Sequence, residues 1–223
     1  METHLTRIEK PTLLTDRAYN SIKRAILNGI LTSGQALAVS HLGEALGVSR
    51  TPIRQAMARL REEGFVRYSP ASGYHVSDIK VKEIAEIYEL REILECYLVR
   101  ETATKLSNDE LAQMEGAVRR ASDALEKRDH IGFLNGNRTF HHMFDRKQGN
   151  RHISRVLANL DGHTRRLVSC ELADGTDTLV ASHREHMLIL KAIREGQVES
   201  AESLMRKHLR GFCRELMRRR GEA

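Results

Sequence analysis

Three histidines and one asparagine in the C-terminal part of the chain have the residue types and spacing of a metal site. His141 follows Asn137 by four residues, so both side chains lie on one face of a predicted helix. His186 and His208 each occur within a segment of helically spaced apolar residues. Imidazole nitrogens and an amide oxygen on facing helices of a bundle could bind a divalent ion. The alternative is an ordinary structural or surface role for each histidine, and the spacing alone leaves both interpretations open.

One arginine lies on the apolar stripe of a predicted helix that begins near residue 80. Because burying an unpaired charge costs several kcal/mol, Arg91 needs an anionic partner. The partner is either a structural carboxylate, Glu92 or Glu95, or the carboxylate of a ligand bound opposite the metal. The residues that could line such an effector site are Arg91, Tyr88, Tyr97 and His183.

These side chains require a helical bundle to bring them together. From Val81 onward apolar residues recur at helical spacing, and no proline occurs beyond that point. Ser107 suits a helix start, and Gly149 and Gly196 suit helix ends. The predicted helices span residues 80–105, 108–128, 130–147, 151–172, 177–195 and 198–218. We therefore expect an all-helical antiparallel bundle over residues 79–220.

Residues 47–61 indicate a second kind of chemistry, the recognition of DNA. Ser49 suits the N-cap of a helix whose apolar stripe faces inward. Arg50, Thr51 and Arg54 fall away from that stripe, near the positively polarised end of the helix. Backbone N–H groups and arginine side chains at such an end suit phosphates and guanine edges. An ordinary solvated basic face is the alternative.

The segment before this helix completes a helix-turn-helix. Residues 40–46 predict a short helix with Ser40 as its N-cap. Gly47 suits the left-handed position that ends this helix. Two short helices joined by a glycine turn are typical of DNA-binding proteins.

The flanking segments predict a complete winged helix. Residues 15–28 carry apolar side chains at helical spacing and predict a supporting helix. The alternating segments 65–68 and 74–76 enclose a turn with Pro and Gly, which predicts a β-hairpin. We assign residues 10–78 to a winged helix-turn-helix domain, and the fold class is mostly α.

Two motifs occur in order in this domain: Gly-Val-Ser-Arg-Thr-Pro-Ile-Arg at residues 47–54 and Leu-Arg-Glu-Glu-Gly-Phe-Val at residues 60–66. Together with the predicted wing they resemble the GntR family of bacterial transcription regulators, over residues 12–78. The resemblance implies a dimeric DNA-binding protein that is controlled by a small metabolite. The DNA-binding positions that it implies are Ser49, Arg50, Thr51, Arg54 and, at the wing tip, Gly73.

The bundle contains three elements in order: Asn137 to His141, with Phe140 before the histidine, then Glu185-His186, then His208-Leu209. Over residues 80–218 they resemble the metal set Asp-x-x-x-His, His and His of the FadR-type (FCD) effector domain, in its VanR-like subgroup. The resemblance implies a divalent ion, zinc or nickel with manganese as an alternative. The metal ligands that it implies are Asn137, His141, His186 and His208.

This chain departs from the family pattern at Asn137, where the family has aspartate. An amide oxygen can bind a metal ion but brings no negative charge. The ion is therefore expected to keep its whole charge, to bind less tightly and to favour an anionic ligand.

The composition agrees with a regulator of two domains. The 223 residues include 36 Lys and Arg against 30 Asp and Glu, a formal net charge of +6. This modest excess suits a regulator better than a protein that coats nucleic acid. No apolar segment approaches the ~20 residues of a membrane span and no signal-peptide pattern is visible, so we expect a cytoplasmic protein. Cys96, Cys170 and Cys213 fit no disulfide or zinc-finger spacing and are expected to be reduced thiols.

The sequence thus predicts a ligand-responsive bacterial transcription regulator, a repressor, that binds a palindromic operator as a homodimer. A small organic acid at the metal-assisted site would change the spacing of the two DNA-reading domains. Activation instead of repression stays open, as do the identities of the effector and the metal. A helical-bundle metalloenzyme lacks a His-Glu-x-x-His motif and repeated Glu-x-x-His pairs. A structural interaction module leaves the winged helix unexplained, so no enzyme activity is predicted.

Overall fold

The computed structural model describes residues 12–171 and 176–221 of the chain. The protein divides into two compact units, one that ends at Asp78 and one that begins at Ile79. Each unit has a hydrophobic core of its own. The first unit is a winged helix-turn-helix and the second is a helical bundle, which confirms the predicted fold class.

Three helices and a small sheet form the first unit. Its elements are α1 (Thr12–Leu27), β1 (Ala36–Leu37), α2 (Val39–Leu46), α3 (Arg50–Glu62), β2 (Val66–Ser69) and β3 (Gly73–Val76). The sheet is antiparallel in the order β1-β3-β2, and the hairpin register places Tyr68 opposite Tyr74. The sequence did not predict β1, because two residues are too few to show an alternating pattern.

The helix-turn-helix is closed by backbone hydrogen bonds around Gly47. This residue has φ = 64° and ends α2, and the N–H of Val48 donates to the carbonyl of Gly43 at 2.9 Å. The prediction that Ser40 caps α2 is wrong: the helix begins at Val39 and Ala38 occupies the N-cap. The extended backbone of Ala38 continues from β1, so the helix starts earlier than its first capping side chain. Ser49 does occupy the N-cap of α3, but its side chain makes no capping hydrogen bond.

The described part of the second unit contains six α-helices. They are α4 (Val81–Thr102), α5 (Asn108–Glu126), α6 (His130–Gln148), α7 (Arg151–Glu171), α8 (Thr176–Arg194) and α9 (Val198–Arg219), with a 3₁₀ turn at Ala103–Lys105. Helix α4 packs against α6, α7 and α9, while α8 packs against α5 and α9. Phe133, Phe140 and Phe144 of α6 are fully buried in the core.

The helix boundaries of this unit have identifiable caps. Ser107 and Glu110 form a capping box at the start of α5, with the Glu110 N–H donating to Ser107 Oγ at 3.2 Å. Asp129 caps α6 by accepting from the N–H of Gly132 at 2.9 Å. Gly149 and Gly196 follow α6 and α8 with φ of 75° and 70°, as left-handed helix ends require.

Helices α5 and α6 approach each other closely at Gly136. A Cβ at this position would lie 2.8 Å from the carbonyl oxygen of Ala117 and 2.9 Å from the Cβ of Ala121. Both neighbours belong to α5, and neither is the end of a flexible side chain. Only glycine fits here, one residue before Asn137.

Two features concern the surface and the thiols. Among residues 12–171 and 176–221, no helix combines the length and the apolar character that crossing a membrane requires. Cys96 and Cys213 are free thiols, and burial raises the pKa of Cys96 to about 11. The side chain of Cys170 lies outside the described residues.

Candidate metal site and nucleic-acid interface

Helix α3 has one buried and one exposed face. Its buried residues are Ile53, Ala56, Met57 and Leu60. Ser49, Arg50, Thr51 and Arg54 are all exposed at its N-terminal end. Neither arginine of this group makes an ion pair within the described part of the chain. Both guanidinium groups are therefore available to phosphates and base edges.

Arg59, near the C-terminal end of α3, shows how a structural arginine of this unit is held. Its guanidinium lies 3.7 Å from the centre of the Tyr19 ring. Its Nη1 is 3.3 Å from Asp16 Oδ1, and its Nε is 3.4 Å from Glu63 Oε1. The arginine thus ties α3 to α1, in contrast to the two arginines at the other end of the helix.

A concave surface lies between α3 and the hairpin of β2 and β3. It encloses about 520 Å³, and its lining includes Arg54, Tyr68, Gly73 and Tyr74. Gly73 begins β3 with φ = 78°, a conformation that favours glycine. Tyr68 and Tyr74 lie with ring centres 4.8 Å apart, and Tyr68 is half exposed. The sequence did not predict a role for Tyr68, because a tyrosine in a hairpin is as typical of sheet packing as of DNA contact.

The second unit brings three of the predicted metal ligands together. His141 of α6, His186 of α8 and His208 of α9 are all buried. The Nε2 atom of His186 lies 3.1 Å from that of His141 and 3.2 Å from that of His208. The bundle core therefore directs three imidazole nitrogens to one point.

Two carboxylates hold the outer histidines by their other ring nitrogen. His141 Nδ1 contacts Glu95 Oε2, and His208 Nδ1 lies 2.9 Å from Glu185 Oε2. Burial by itself raises the pKa of Glu95, but Arg91 and His141 outweigh it and keep that pKa well below its ordinary value. An ionised carboxylate can only accept, so Nδ1 donates and the lone pair is left on Nε2.

Hydrogen bonds among the three rings cannot provide a partner for all three Nε2 atoms. With lone pairs on Nε2 of His141 and His208, the single Nε2 proton of His186 can serve only one of them. Burial lowers the pKa of His141 and, more strongly, that of His186, which disfavours an extra proton. Ligand nitrogens about 2.0–2.1 Å from a tetrahedral ion lie roughly 3.3 Å apart. The donor set and its spacing therefore fit a divalent metal ion.

Asn137 lines a small cavity together with two of the three histidines. The cavity measures about 20 Å³, and its lining includes Asn137, His141 and His208 together with Tyr88 and Arg91. The expectation that an ion here would keep its whole charge considered only the four ligands and not the carboxylates behind two of the histidines. Asn137 adds no charge, but Glu95 and Glu185 lie one imidazole away.

The structure identifies the partner of Arg91. Its Nε donates to Glu95 Oε1 at 2.7 Å, and its Nη1 donates to Thr164 Oγ1 at 3.4 Å. Of the anionic partners that the sequence left open for Arg91, the structure therefore shows Glu95. The Tyr88 hydroxyl on the same cavity is buried, and among the described residues it has no hydrogen-bond partner. One long hydrogen bond and one unpaired hydroxyl face the cavity from this side.

Two predicted pocket residues lie elsewhere. His183 lines a separate open groove of about 590 Å³ between α5 and α8, with Ser122 and Met187. It precedes His186 by three residues and so lies on a neighbouring part of the α8 surface. Its side chain nevertheless lines this groove and not the cavity beside the three histidines. Tyr97 is exposed on α4 and does not line the cavity with Tyr88.

The sequence did not predict the carboxylate that contacts His208. Glu185 directly precedes a histidine ligand, and no periodic signal marks it as a partner of a different helix. Glu95 was a candidate only for Arg91, because the contact with His141 joins residues 46 positions apart.

Comparisons with known proteins agree with this architecture. Residues 86–211, more than half of the chain, match the FCD domain family. Residues 14–76 match the family described as bacterial regulatory proteins, gntR family. The two matches cover the helical bundle and the winged helix respectively.

Relatives of similar length show the same organisation. The uncharacterized HTH-type transcriptional regulator YdhC of Bacillus subtilis (strain 168) is 25% identical over 213 residues, which cover 94% of each chain. The HTH-type transcriptional repressor RspR of Escherichia coli (strain K12) is 21% identical over 92% of this chain and 89% of its own. A crystal structure of a transcriptional regulator GntR from Rhodococcus sp. RHA1 has a TM-score of 0.83 at 21% identity, covering 92% of this chain and 98% of that one. All three are described as transcription regulators. The chain belongs to the GntR family of bacterial transcription regulators, with an FCD domain as its C-terminal unit.

Proposed function

We propose that the protein is a repressor that binds a palindromic operator as a homodimer and responds to a small carboxylate at a metal-assisted site. The observation that carries the effector part is the convergence of three Nε2 atoms in a buried core, where protons cannot satisfy them. The DNA-binding part is supported by Arg50 and Arg54, which are exposed and have no ion-pair partner among the described residues. Repression is the role that the name of RspR states for that relative.

His141, His186 and His208 would hold the ion, with Asn137 as a fourth ligand from the cavity wall. Neutral imidazoles suit zinc and nickel, with manganese as the alternative. When bound, the ion supplies a positive charge to which a carboxylate oxygen can bind. Glu95 and Glu185 keep two of the rings oriented and leave the local charge partly compensated.

Arg91 and Tyr88 would receive the other end of the acid. The guanidinium holds Glu95 through Nε, while its Nη1 makes only a 3.4 Å contact with Thr164. The unpaired Tyr88 hydroxyl is a second donor on the same cavity. A carboxylate would therefore meet a metal ion on one side and two donors on the other.

The present cavity is too small for such a ligand. Its volume of about 20 Å³ accommodates a water molecule, whereas pockets for organic ligands measure roughly 300–1,000 Å³. Thr164 and Val168 of α7 form part of its wall. Binding of an acid therefore requires an outward displacement of this wall, which is the structural change that we propose to couple to operator affinity.

Metal content and thermal stability test the proposal. The purified protein is expected to contain about one zinc or nickel ion per chain. Succinate, lactate or gluconate, tried in turn, should raise its melting temperature, and a chelator should remove that shift. His186→Ala and His208→Ala should lose both metal and shift, and His152→Ala, an exposed histidine of α7, should keep both. A metal-free protein that still responds to an acid would overturn the metal-assisted site.

Footprinting tests the DNA part independently. A homodimer of winged helices is expected to protect two half-sites related by dyad symmetry, with one domain on each. Protection of one asymmetric site would contradict the homodimeric reading of a palindrome. Because each unit has its own core, His186→Ala should leave this protection unchanged.

A further inference from the structure

Helix α4 carries an exposed apolar stripe. Leu90, Ile93 and Tyr97 are exposed by 39%, 60% and 37%, and they follow one another at intervals of three and four residues. The opposite face of the same helix is buried in the bundle, at Ile84, Leu98 and Val99 among others. Three large apolar side chains in register on one outward face are typical of a helix that packs against another helix.

Among the described residues of this unit, the other exposed apolar side chains do not form such a stripe. Met187 and Leu188 of α8 are adjacent in sequence and so point in different directions. Ile131 and Val156 lie singly on α6 and α7. Single exposed apolar residues are common, so the α4 stripe is the surface that requires an explanation.

The charges along the stripe have opposite signs at its two ends. Glu86 and Glu89 lie on the N-terminal side and Arg100 on the C-terminal side, all exposed on the same face. Among the described residues, the one ion-pair partner of Glu86 is the exposed Lys82, with Nζ 3.6 Å from Oε1. Neither Glu89 nor Arg100 has an ion-pair partner in the part of the chain that the structure describes. A surface with this distribution is complementary to itself when it is rotated by a half turn.

A groove runs beside the stripe between α4 and α9. It encloses about 410 Å³ and is lined by Ile93 and Ala85 of α4 and by Leu209 and Cys213 of α9, among others. Its α9 side is fixed by ion pairs from Arg210 to Glu92, with Nε 2.7 Å from Oε2. The apolar stripe and the groove therefore lie next to each other, as an isologous interface requires, because each copy must supply both ridge and recess.

We propose that a second copy of this chain packs on the α4 stripe, with the two α4 helices antiparallel about a two-fold axis near Ile93. This geometry brings Glu86 and Glu89 of one protomer close to the Arg100 side chain of the other and seats the apolar ridge of each on the groove of its partner. The inference rests on the homodimer of the proposed function and specifies its interface.

Molar mass in solution tests the interface. Light scattering or sedimentation is expected to give twice the 25.4 kDa of one chain. Ile93→Glu should weaken the dimer by roughly 100-fold or more, because it buries two unpaired carboxylates at the two-fold axis. Leu188→Glu on α8 is the matched control: its side chain is 51% exposed, close to the 60% of Ile93, and its mass should remain that of a dimer.

A charge exchange tests the antiparallel geometry. Arg100→Glu alone should weaken the dimer, since it places carboxylates near one another. Arg100→Glu combined with Glu86→Arg and Glu89→Arg should restore it, because every opposed pair is again of opposite sign. A dimer that survives Ile93→Glu, or weakening that the exchange does not reverse, would overturn this interface and leave the homodimer intact. A monomeric parent protein would instead refute the homodimer of the proposed function.

Discussion

At the scale of single residues, the buried histidines depend on two carboxylates that are not ligands themselves. Glu95 links Arg91 to His141, and Glu185 holds His208. Such partners fix the ring orientation and leave Nε2 free for a metal ion. The chemistry of the site therefore depends on side chains from four helices, α4, α6, α8 and α9, and not on the histidines alone.

Replacement of these carboxylates should weaken metal binding without removing a ligand. For Glu185→Gln we expect a loss of roughly 10–100-fold in zinc affinity, because the amide holds the His208 ring less firmly. Glu95→Gln should do the same and also lower the stability of the bundle, since Arg91 then lacks its buried counter-charge. A competition titration with a zinc chelator measures the affinity.

Glu92→Gln provides the control for both variants. Glu92 lies on the same helix as Glu95 but pairs with Arg206 and Arg210 near the surface. The zinc affinity of the Glu92→Gln variant should equal that of the parent protein. Equal affinities for Glu185→Gln and Glu92→Gln would show that the carboxylate at His208 has no part in metal binding.

Alanine substitutions of the α3 arginines should affect either DNA binding or the stability of the winged helix, depending on the position. Arg54→Ala is expected to weaken operator binding by about 1–3 kcal/mol and to blur sequence preference, since a bidentate contact to a base is lost. Arg59→Ala should instead lower the stability of the winged helix, because it removes the contacts with Tyr19 and Asp16. Fluorescence anisotropy with operator and scrambled DNA measures the first effect, and thermal unfolding measures the second. Unchanged affinity and preference in both Arg50→Ala and Arg54→Ala would exclude α3 as the reading helix.

At the scale of elements, a glycine sets the distance between two helices of the site. Gly136→Ala should cost about 1–3 kcal/mol, because its Cβ would overlap the backbone oxygen of Ala117. The strain pushes α6 away from α5 and displaces His141, so zinc affinity should fall as well. Chemical denaturation and the chelator titration measure the two effects.

Gly116→Ala on α5 is the matched control. A Cβ there meets only the end of the flexible Arg120 side chain, at 3.3 Å. It should therefore stabilise the helix by up to ~1 kcal/mol, the usual gain when alanine replaces glycine in a helix. A stability loss in Gly116→Ala equal to that in Gly136→Ala would contradict close packing at Gly136 as the cause.

The sequence predicted most elements because their signals are local. Helical periodicity located the bundle helices, and Ser107, Gly149 and Gly196 located their ends. The predicted N-cap at Ser40 was wrong, because the direction of the chain leaving β1, and not a capping side chain, sets the start of α2. The short strand β1 exists only through its pairing with β3, which a local pattern cannot reveal.

The sequence predicted that the three histidines form a cluster, but it did not predict the residues around them. Their spacing and the family resemblance identified His141, His186 and His208, which the structure brings together. Glu185 contacts His208, whereas His183 lines a separate groove. Both positions depend on how the helices are rotated about their axes. That rotation results from packing across the whole core, including the approach at Gly136.

At the scale of the whole molecule, the proposed functions of DNA binding and ligand sensing belong to two units whose cores share no residue. Core variants of the bundle should therefore leave the winged helix folded. Communication between the two functions is then a coupling free energy, and it is reciprocal: if the acid weakens operator binding, the operator weakens acid binding by the same factor. The modest net charge of +6 fits this role, because a strongly cationic chain would bind DNA whether or not an effector is present.

The narrow cavity beside Arg91 has a consequence for sensitivity. When a ligand binds only an open minority state, its apparent dissociation constant equals the intrinsic constant divided by the open fraction. An open fraction of about 1% raises the concentration needed for a response roughly 100-fold. Substitutions in the packing of Thr164 and Val168 can therefore retune the threshold of the switch over orders of magnitude, while every group that touches the acid at the metal end stays the same.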